Sequence, residues 1–442
     1  MSTATNIEAA AVNTVAWLSE AETTIVVPVY QRQYRWDIGA CEQLLADIRA
    51  VSDAEDRHSH FLGSILSTGS TDNDAELVLI DGQQRITTLM LLVAALQHTV
   101  RGSDSAVADE LEKVLVTAAG RTKLRPHRAW AELFESVVLG TAGGEHDSAF
   151  DDNYAFFRSQ VQLDEVPRVW RGLQRLEHVS ITLGADADAQ QIFESLNSTG
   201  EPLRDHELIH NYVLMGLSHA EQNEIEDSYW APIEHNSGEQ IASFWRHYLV
   251  MTTGREIDAA VDRSVYDAFR HEFPRLELQT LRHHAAEWRA YSEIYRVLLD
   301  PAQAADPELG RQLTHLNVFG RGMFPLVMRL YGDGDRATLI RTIENVQSML
   351  LRRSTIGLPT ERLVARLCRA QRDGTLTEAI ARITPSDERV RVALKYGALP
   401  HAAYVLSRLA GVEASTGLGV EHIFPLAPAD NWSGDGDRAW SD

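Results

Sequence analysis

The stretch LVLIDGQQRITTLMLL, residues 77–92, runs from an apolar strand-like segment through Asp81-Gly82-Gln83-Gln84-Arg85 into an apolar helix-like one. The most polar five residues of the region therefore stand at the mouth of two apolar elements. If residues 76–80 are a strand and the helix begins near Gln83, the loop N–H groups and the positive end of the helix dipole converge on one point beside Arg85. That arrangement is an anion site. Gly82 admits a phosphate to the backbone, Arg85 forks onto two oxygens, and Asp81 holds a metal ion or orients a water. A plainer reading stands beside it, in which Asp81 caps the helix and the glutamines complete its first turn.

Around this stretch the first third of the chain alternates β-like runs (residues 24–30, 61–67 and 76–80) with helix-like runs (41–51 and 86–100), an α/β pattern. Residues 105–175 carry amphipathic helix patterns, and 178–184 (HVSITLG) read as one more strand. From about residue 203 nearly every segment has helical period, so the fold class is α+β, with an all-α domain behind the first. No fixed-period repeat is present, and SGDGDRAWSD (433–442) reads as a loop or a frayed end.

Composition narrows the function classes. Two cysteines, Cys41 and Cys368, make neither a disulfide framework nor a zinc site, which suits a reducing cytoplasm. No apolar run reaches the roughly 18 residues of a membrane span. Against 41 Lys and Arg stand 63 Asp and Glu, a formal charge of −22 that repels polyanions at long range. Any nucleic-acid contact must then be local, through arginines gathered in one groove.

VPVYQRQYRWD (27–37) offers such a groove: extended, it puts Tyr30, Arg32, Tyr34 and Trp36 on one face and Gln31, Gln33 and Arg35 on the other. Interleaved aromatics and guanidinium groups suit base stacking and phosphate contact, or equally an edge strand with aromatics inward and arginines solvated. This segment and the 81–85 loop both follow apolar strands, so one cleft can hold both. QIFESLNSTGEPLRDHELIHNYVL (191–214) reads as helix, turn and helix, the second capped by Asp205, with Asn197 in the turn as a nucleotide donor. Basic residues cluster in 121–128, 168–175 and at Arg352 and Arg353, where solvated faces compete with DNA contact; Arg121, Lys123 and Arg125 are the best backbone candidates. In VEHIFP (420–425), His422 after Glu421 has the form of a water-activating base beside a metal-bound phosphate.

Taken in order, PVYQRQYRW, LIDGQQRITTL, IFESLNSTGEPL with ELIHN, LLRRSTIGLPT and VEHIFP resemble the GmrSD family of type IV restriction endonucleases, and within it the phosphorothioate-sensing branch. The resemblance spans nearly the whole chain. It implies a ParB/sulfiredoxin-like domain over residues 1–215 that binds and hydrolyses GTP or another NTP with Mg2+ or a similar divalent metal. A helical domain (216–410) and the start of an HNH-type nuclease module (411–442) would follow. It further implies a nucleotide site at Asp81, Gly82, Gln83, Gln84, Arg85 and Asn197, with Asp81 and Arg85 catalytic. His422 would be the nuclease base and Glu421 a metal neighbour. Pro28, Val29, Tyr30, Gln31, Arg32, Tyr34 and Trp36 would sense the DNA modification. Sulfur in place of a phosphate oxygen is larger, softer and less hydrated, so a wall of Pro28, Val29 and Tyr30 favours it, while Gln31 and Arg32 hold the remaining oxygens.

Double-stranded phosphorothioate DNA is the expected partner, with glucosylated or hydroxymethylated cytosine DNA as the alternative trigger and a non-enzymatic DNA-binding scaffold as the alternative role. A homo-oligomer is compatible with all three. Glu207 replaces the Asp usual before Leu-Ile. Only twenty residues follow His422, none of them His and one of them Asn, so the expectation is a nuclease module too incomplete to nick DNA.

Overall fold

In the computed structural model the described residues are 7–411 apart from 21–22, 55–57, 70–75, 104–106, 142–147, 185–186, 188–191, 194–202, 275 and 334. Among them six strands make one mixed sheet: β1 (Ile7–Asn13), β2 (Thr24–Val26), β3 (His60–Gly69), β4 (Glu76–Asp81), β5 (Leu124–Arg125) and β6 (Leu176–Leu183). Their spatial order is β1-β6-β3-β4-β2-β5. β4 runs antiparallel to β3 and parallel to β2, and β6 parallel to β3 and antiparallel to β1. With helical content dominating elsewhere, the class is α+β as expected.

The apolar run of β4 has no polar alternation because both faces of the sheet are covered. Leu79 and Ile65 point into the large core built on helices, while their neighbours Ile80 and Leu66 point the other way, into a smaller cluster with Leu183 and Phe193. The helices of the large core are α1 (Thr14–Leu18), α2 (Ile38–Asp53), α3 (Gln83–Val100), α4 (Ala108–Leu115), α5 (Arg128–Leu139), α6 (Ala149–Gln160) and α7 (Val166–Leu173). α3 is buried almost all round, which explains why ITTLMLLVAAL lacks a polar stripe. α2 starts at an Asp37 cap whose Oδ1 accepts from Ala40 N at 2.9 Å. α7 lies so close to α2 that a Cβ on Gly172 would stand 2.2 Å from Ile48 O.

Two sequence expectations need correction, and one strand was not foreseen. The strand expected over 24–30 ends at Val26, because Pro28 has no N–H for a ladder and Gln31 N closes a turn onto Pro28 O at 3.1 Å. β1 was not expected; IEAAAVN lacks β-branched alternation, and most of this edge strand is exposed. Within the helix-patterned stretch 105–175, residues 154–166 divide between α6 and α7, with Pro167 in the first turn of the second, where its missing N–H is no loss.

The chain divides into two compact units, Met1–Pro232 with Phe273–Ala286, and Ile233–Glu272 with Glu287–Asp442. The second is helical throughout its described residues, around a cluster in which Trp245 meets Phe269 and Trp288 edge-on at 5.4 Å. Its basic pair Arg352 and Arg353 is half-buried. Arg352 donates to Pro385 O (3.0 Å), and Arg353 donates to Ile383 O (3.0 Å) and Pro359 O (2.7 Å), tying a helix end to two loops. No described helix is long and apolar enough to cross a membrane.

Candidate functional site

Gly82 makes the β4-to-α3 turn with φ 98°, a left-handed conformation where a side chain would be strained, and a Cβ would press on Ile65 Cγ1 at 3.1 Å. Being glycine, it gives α3 no side-chain cap, so the plainer reading with Asp81 as cap does not hold. Asp81 Oδ2 instead pairs with Arg85 Nη2 at 3.2 Å, one turn along. Arg85 Nη1 donates to Leu62 O (3.1 Å) and Ser64 O (2.6 Å). Those carbonyls are available because the β3–β6 register shifts between Phe61 and Ser64. Gly63, at φ 97°, leaves room for the guanidinium; a Cβ there would lie 2.6 Å from Nη1. Arg85 is thus a strut across a β-bulge, with about a quarter of its side chain exposed.

The two glutamines do more than finish a helix turn. Gln83 Nε2 donates to Arg32 O (2.8 Å), Gln84 Nε2 donates to Gln33 O (3.1 Å), and Arg35 N donates to Gln84 Oε1 (2.8 Å). From the other side Gln31 Nε2 donates to Ile80 O at 2.6 Å. Residues 31–36 are therefore a strap laid over the 81–85 turn, so the two motifs do form one assembly. Residues 32–36 keep the expected alternation, Gln33 and Arg35 exposed and Arg32, Tyr34 and Trp36 half-buried.

The aromatic side of that alternation faces the core, which corrects the stacking role expected of it. Tyr34 lies parallel to Phe150 at 5.2 Å, bonds Thr88 Oγ1 through its hydroxyl at 2.7 Å, and receives Asn153 Nδ2 at 2.8 Å. Trp36 packs on the same core, and Asn153 Nδ2 also holds its carbonyl. Tyr30, inside the turn that precedes the strap, is 4% exposed, and burial pushes its phenol well above the usual range. Lys123 is the other correction. It is 2% exposed, and its ammonium donates to Leu18 O and Glu20 O, so it staples the chain before β2 and offers no charge to DNA. Arg121 is exposed.

Helix α8 (Asp205–Leu214) clamps the strap: Glu207 Oε1 lies 3.3 Å from Arg35 Nη1. Asp205 opens the helix, but the cap position belongs to Arg204, whose N–H is accepted by Glu207 at 2.9 Å. The sequence reading missed His210. Its Nε2 lies 2.7 Å from Glu226 Oε2 and its ring stacks on Trp230 at 4.3 Å, at a π-helical turn over Glu226–Trp230. The available signal was His206 and His210 one turn apart on α8.

Pro28 and Val29 open onto a different feature, a cleft of about 520 Å³ within the first unit. Val27, Pro28, Val29 and Pro126 give it apolar walls; Glu76, Arg125, His127, His219, Gln222 and Asn223 give it polar ones. Arg125 is ion-paired with Glu76. Asn197, Glu421 and His422 lie outside the described residues. Among the described residues no cluster of three or more His, Cys, Asp or Glu is arranged to hold a metal.

Residues 15–214, somewhat under half of the chain, match the family model described as the GmrSD restriction endonuclease, N-terminal domain. The matched span holds the strap, the 81–85 turn and α8. No curated protein matches the chain.

Proposed function

We propose that this chain is a nucleotide-dependent sensor of phosphorothioate-modified double-stranded DNA that governs a nuclease in a restriction-type defence system, with motifs nearest those of the phosphorothioate-sensing defence protein SspE. One observation carries the reading: the amides of Gln83 and Gln84 hold the carbonyls of Arg32 and Gln33, so whatever binds at the α3 N-terminus bears directly on the strap. The nucleotide phosphates, GTP in the first instance, meet the uncapped first turn of α3 beside Gly82 and Arg85. One carboxylate, Asp81, is enough to help hold a phosphate-borne Mg2+, which takes most of its other ligands from phosphates and water.

DNA meets the outer face of the strap at Arg35 and Gln33, with Arg121 on the phosphates, and a sulfur-bearing linkage rests against Pro28 and Val29 at the mouth of the cleft. The test is steady-state GTP hydrolysis with unmodified, phosphorothioate and glucosylated hydroxymethylcytosine duplexes. Because Arg85 also braces the β3 bulge, Arg85→Ala is expected to melt earlier, and Asp81→Asn, checked for an unchanged melting temperature, is run beside it. Stimulation by the phosphorothioate duplex alone, lost in Asp81→Asn, is expected. Stimulation by the glucosylated duplex instead moves the signal to the base, and no hydrolysis with any duplex overturns the reading in favour of a scaffold.

A further inference from the structure

We propose that the cleft beside Pro28 and Val29 receives a nucleobase turned out of the duplex, read by Gln222 and Arg125. This rests on the DNA-sensing reading above and assigns a base-binding role to residues outside its motifs. Gln222 is 5% exposed and its Nε2 is committed to Leu217 O (3.0 Å) and Leu214 O (3.3 Å), which fixes the amide and turns Oε1 away. That Oε1 is buried without a hydrogen-bond partner among the described residues. On the β5 side of the cleft Arg125 is ion-paired with Glu76, yet its Nε is likewise buried and without a partner there. Buried polar groups are nearly always satisfied, so an orphan acceptor and an orphan donor on two residues that line one cleft mark a complementary ligand.

The same residues decide its chemistry. A phosphate would meet the Glu76 carboxylate and the Gln222 oxygen, both repulsive to it, while the Arg125 charge is already matched. A neutral heterocycle with an amine beside a ring nitrogen, as in adenine or cytosine, gives Gln222 Oε1 a donor and Arg125 Nε an acceptor. Pro28, Val29 and Pro126 supply apolar contact for its face, and about 520 Å³ suits a nucleoside. Inside a duplex the Watson–Crick edge is taken by pairing, so a base read on that edge must be extruded.

Two measurements test this. Saturation-transfer NMR with free deoxyadenosine and deoxycytidine reads the pocket without DNA, and a duplex carrying 2-aminopurine beside the phosphorothioate linkage reads extrusion as a fluorescence rise, with anisotropy reporting duplex binding. Gln222→Met removes the acceptor at equal length. Arg125→Lys keeps the charge for Glu76 but has no Nε–H, and serves if the first variant melts early. Each variant is expected to bind nucleoside roughly fivefold to tenfold more weakly and to lose the fluorescence rise while still binding duplex. Duplex binding with no fluorescence change and no nucleoside signal overturns the pocket and leaves DNA sensing intact. Nucleoside binding lost in the variants, with no duplex bound, keeps the pocket and overturns DNA sensing; absence of both overturns both.

Discussion

Gln84→Ala is the sharpest test of how the strap is held. The side chain is 8% exposed and makes two bonds across 49 and 51 residues of chain, from Arg35 N at 2.8 Å and to Gln33 O at 3.1 Å. Gln33 and Arg35 are exposed residues, so water can reach the groups left behind. Each lost bond then falls at the low end of the usual penalty, about 1 kcal/mol apiece. The deleted methylene adds about 0.8 kcal/mol of lost burial. The total is about 3 kcal/mol, a fall of roughly 6–12 °C in Tm for a unit of this size. The two bonds alone, about 2 kcal/mol, also govern local opening of the strap, so the Arg35 amide should exchange with solvent deuterium about 30-fold faster. Gln83→Ala removes one bond, to Arg32 O, and should cost about two thirds as much. Exchange of the Arg35 amide within twofold of wild type in Gln84→Ala would refute the idea that these glutamines hold the strap.

Gly63→Ala should destabilise by roughly 1–3 kcal/mol, since φ 97° is strained for alanine and its Cβ meets Arg85 Nη1. Its cost in denaturant unfolding should shrink in the Arg85→Ala background, and strict additivity would contradict the strut. Gly172→Ala should lower Tm by pushing α7 from Ile48 O, with a cost of about 1–3 kcal/mol; an unchanged melt would refute the close approach. His178 is fully buried, and burial first, then Arg85, holds its pKa at about 4 against 6.5 ordinarily. The unfolded chain therefore takes up a proton that the folded chain refuses, and stability falls as pH drops from 6.5 towards 4, by up to about 1.4 kcal/mol per pH unit from this residue. His178→Gln should flatten that fall in urea titrations at several pH values, and an unaltered slope would refute the assignment. On modified duplex, Arg121→Ala should reduce the salt slope of log affinity by about 1; Lys123→Met should leave it unchanged, and a reduced slope in the latter would put its ammonium on DNA after all.

What was legible followed from local pattern. The strands at 61–67 and 76–80 and the long buried helix α3 declare themselves through unbroken apolar runs, and Gly82 marks the turn between two of them. The strap was legible only as an alternation. That Gln83 and Gln84 bond to it was not, because their partners are backbone carbonyls about fifty residues away, and a carbonyl carries no sequence signature. RTKLR reads as three cations on one side of an extended segment, yet β5 lies against β2 and turns Lys123 toward the carbonyls of Leu18 and Glu20. Gln222 and His219 sit on a short helix whose sequence signals only its Ser218 cap, so the polar side of the cleft had nothing to announce it.

The strap also sets an order of assembly. Its four anchoring bonds to Ile80, Gln83 and Gln84 close loops of 49 to 51 residues, and each needs the β4-to-α3 corner already built. Loop closure of that length is slow and yields nothing until the far partner exists. Residues 31–36 should therefore dock late, after β3, β4 and α3 have condensed, and peel away first on unfolding. A nascent chain would carry two exposed arginines and two unshielded aromatic rings at this segment until α3 has been made, which makes it a natural point for a chaperone to hold.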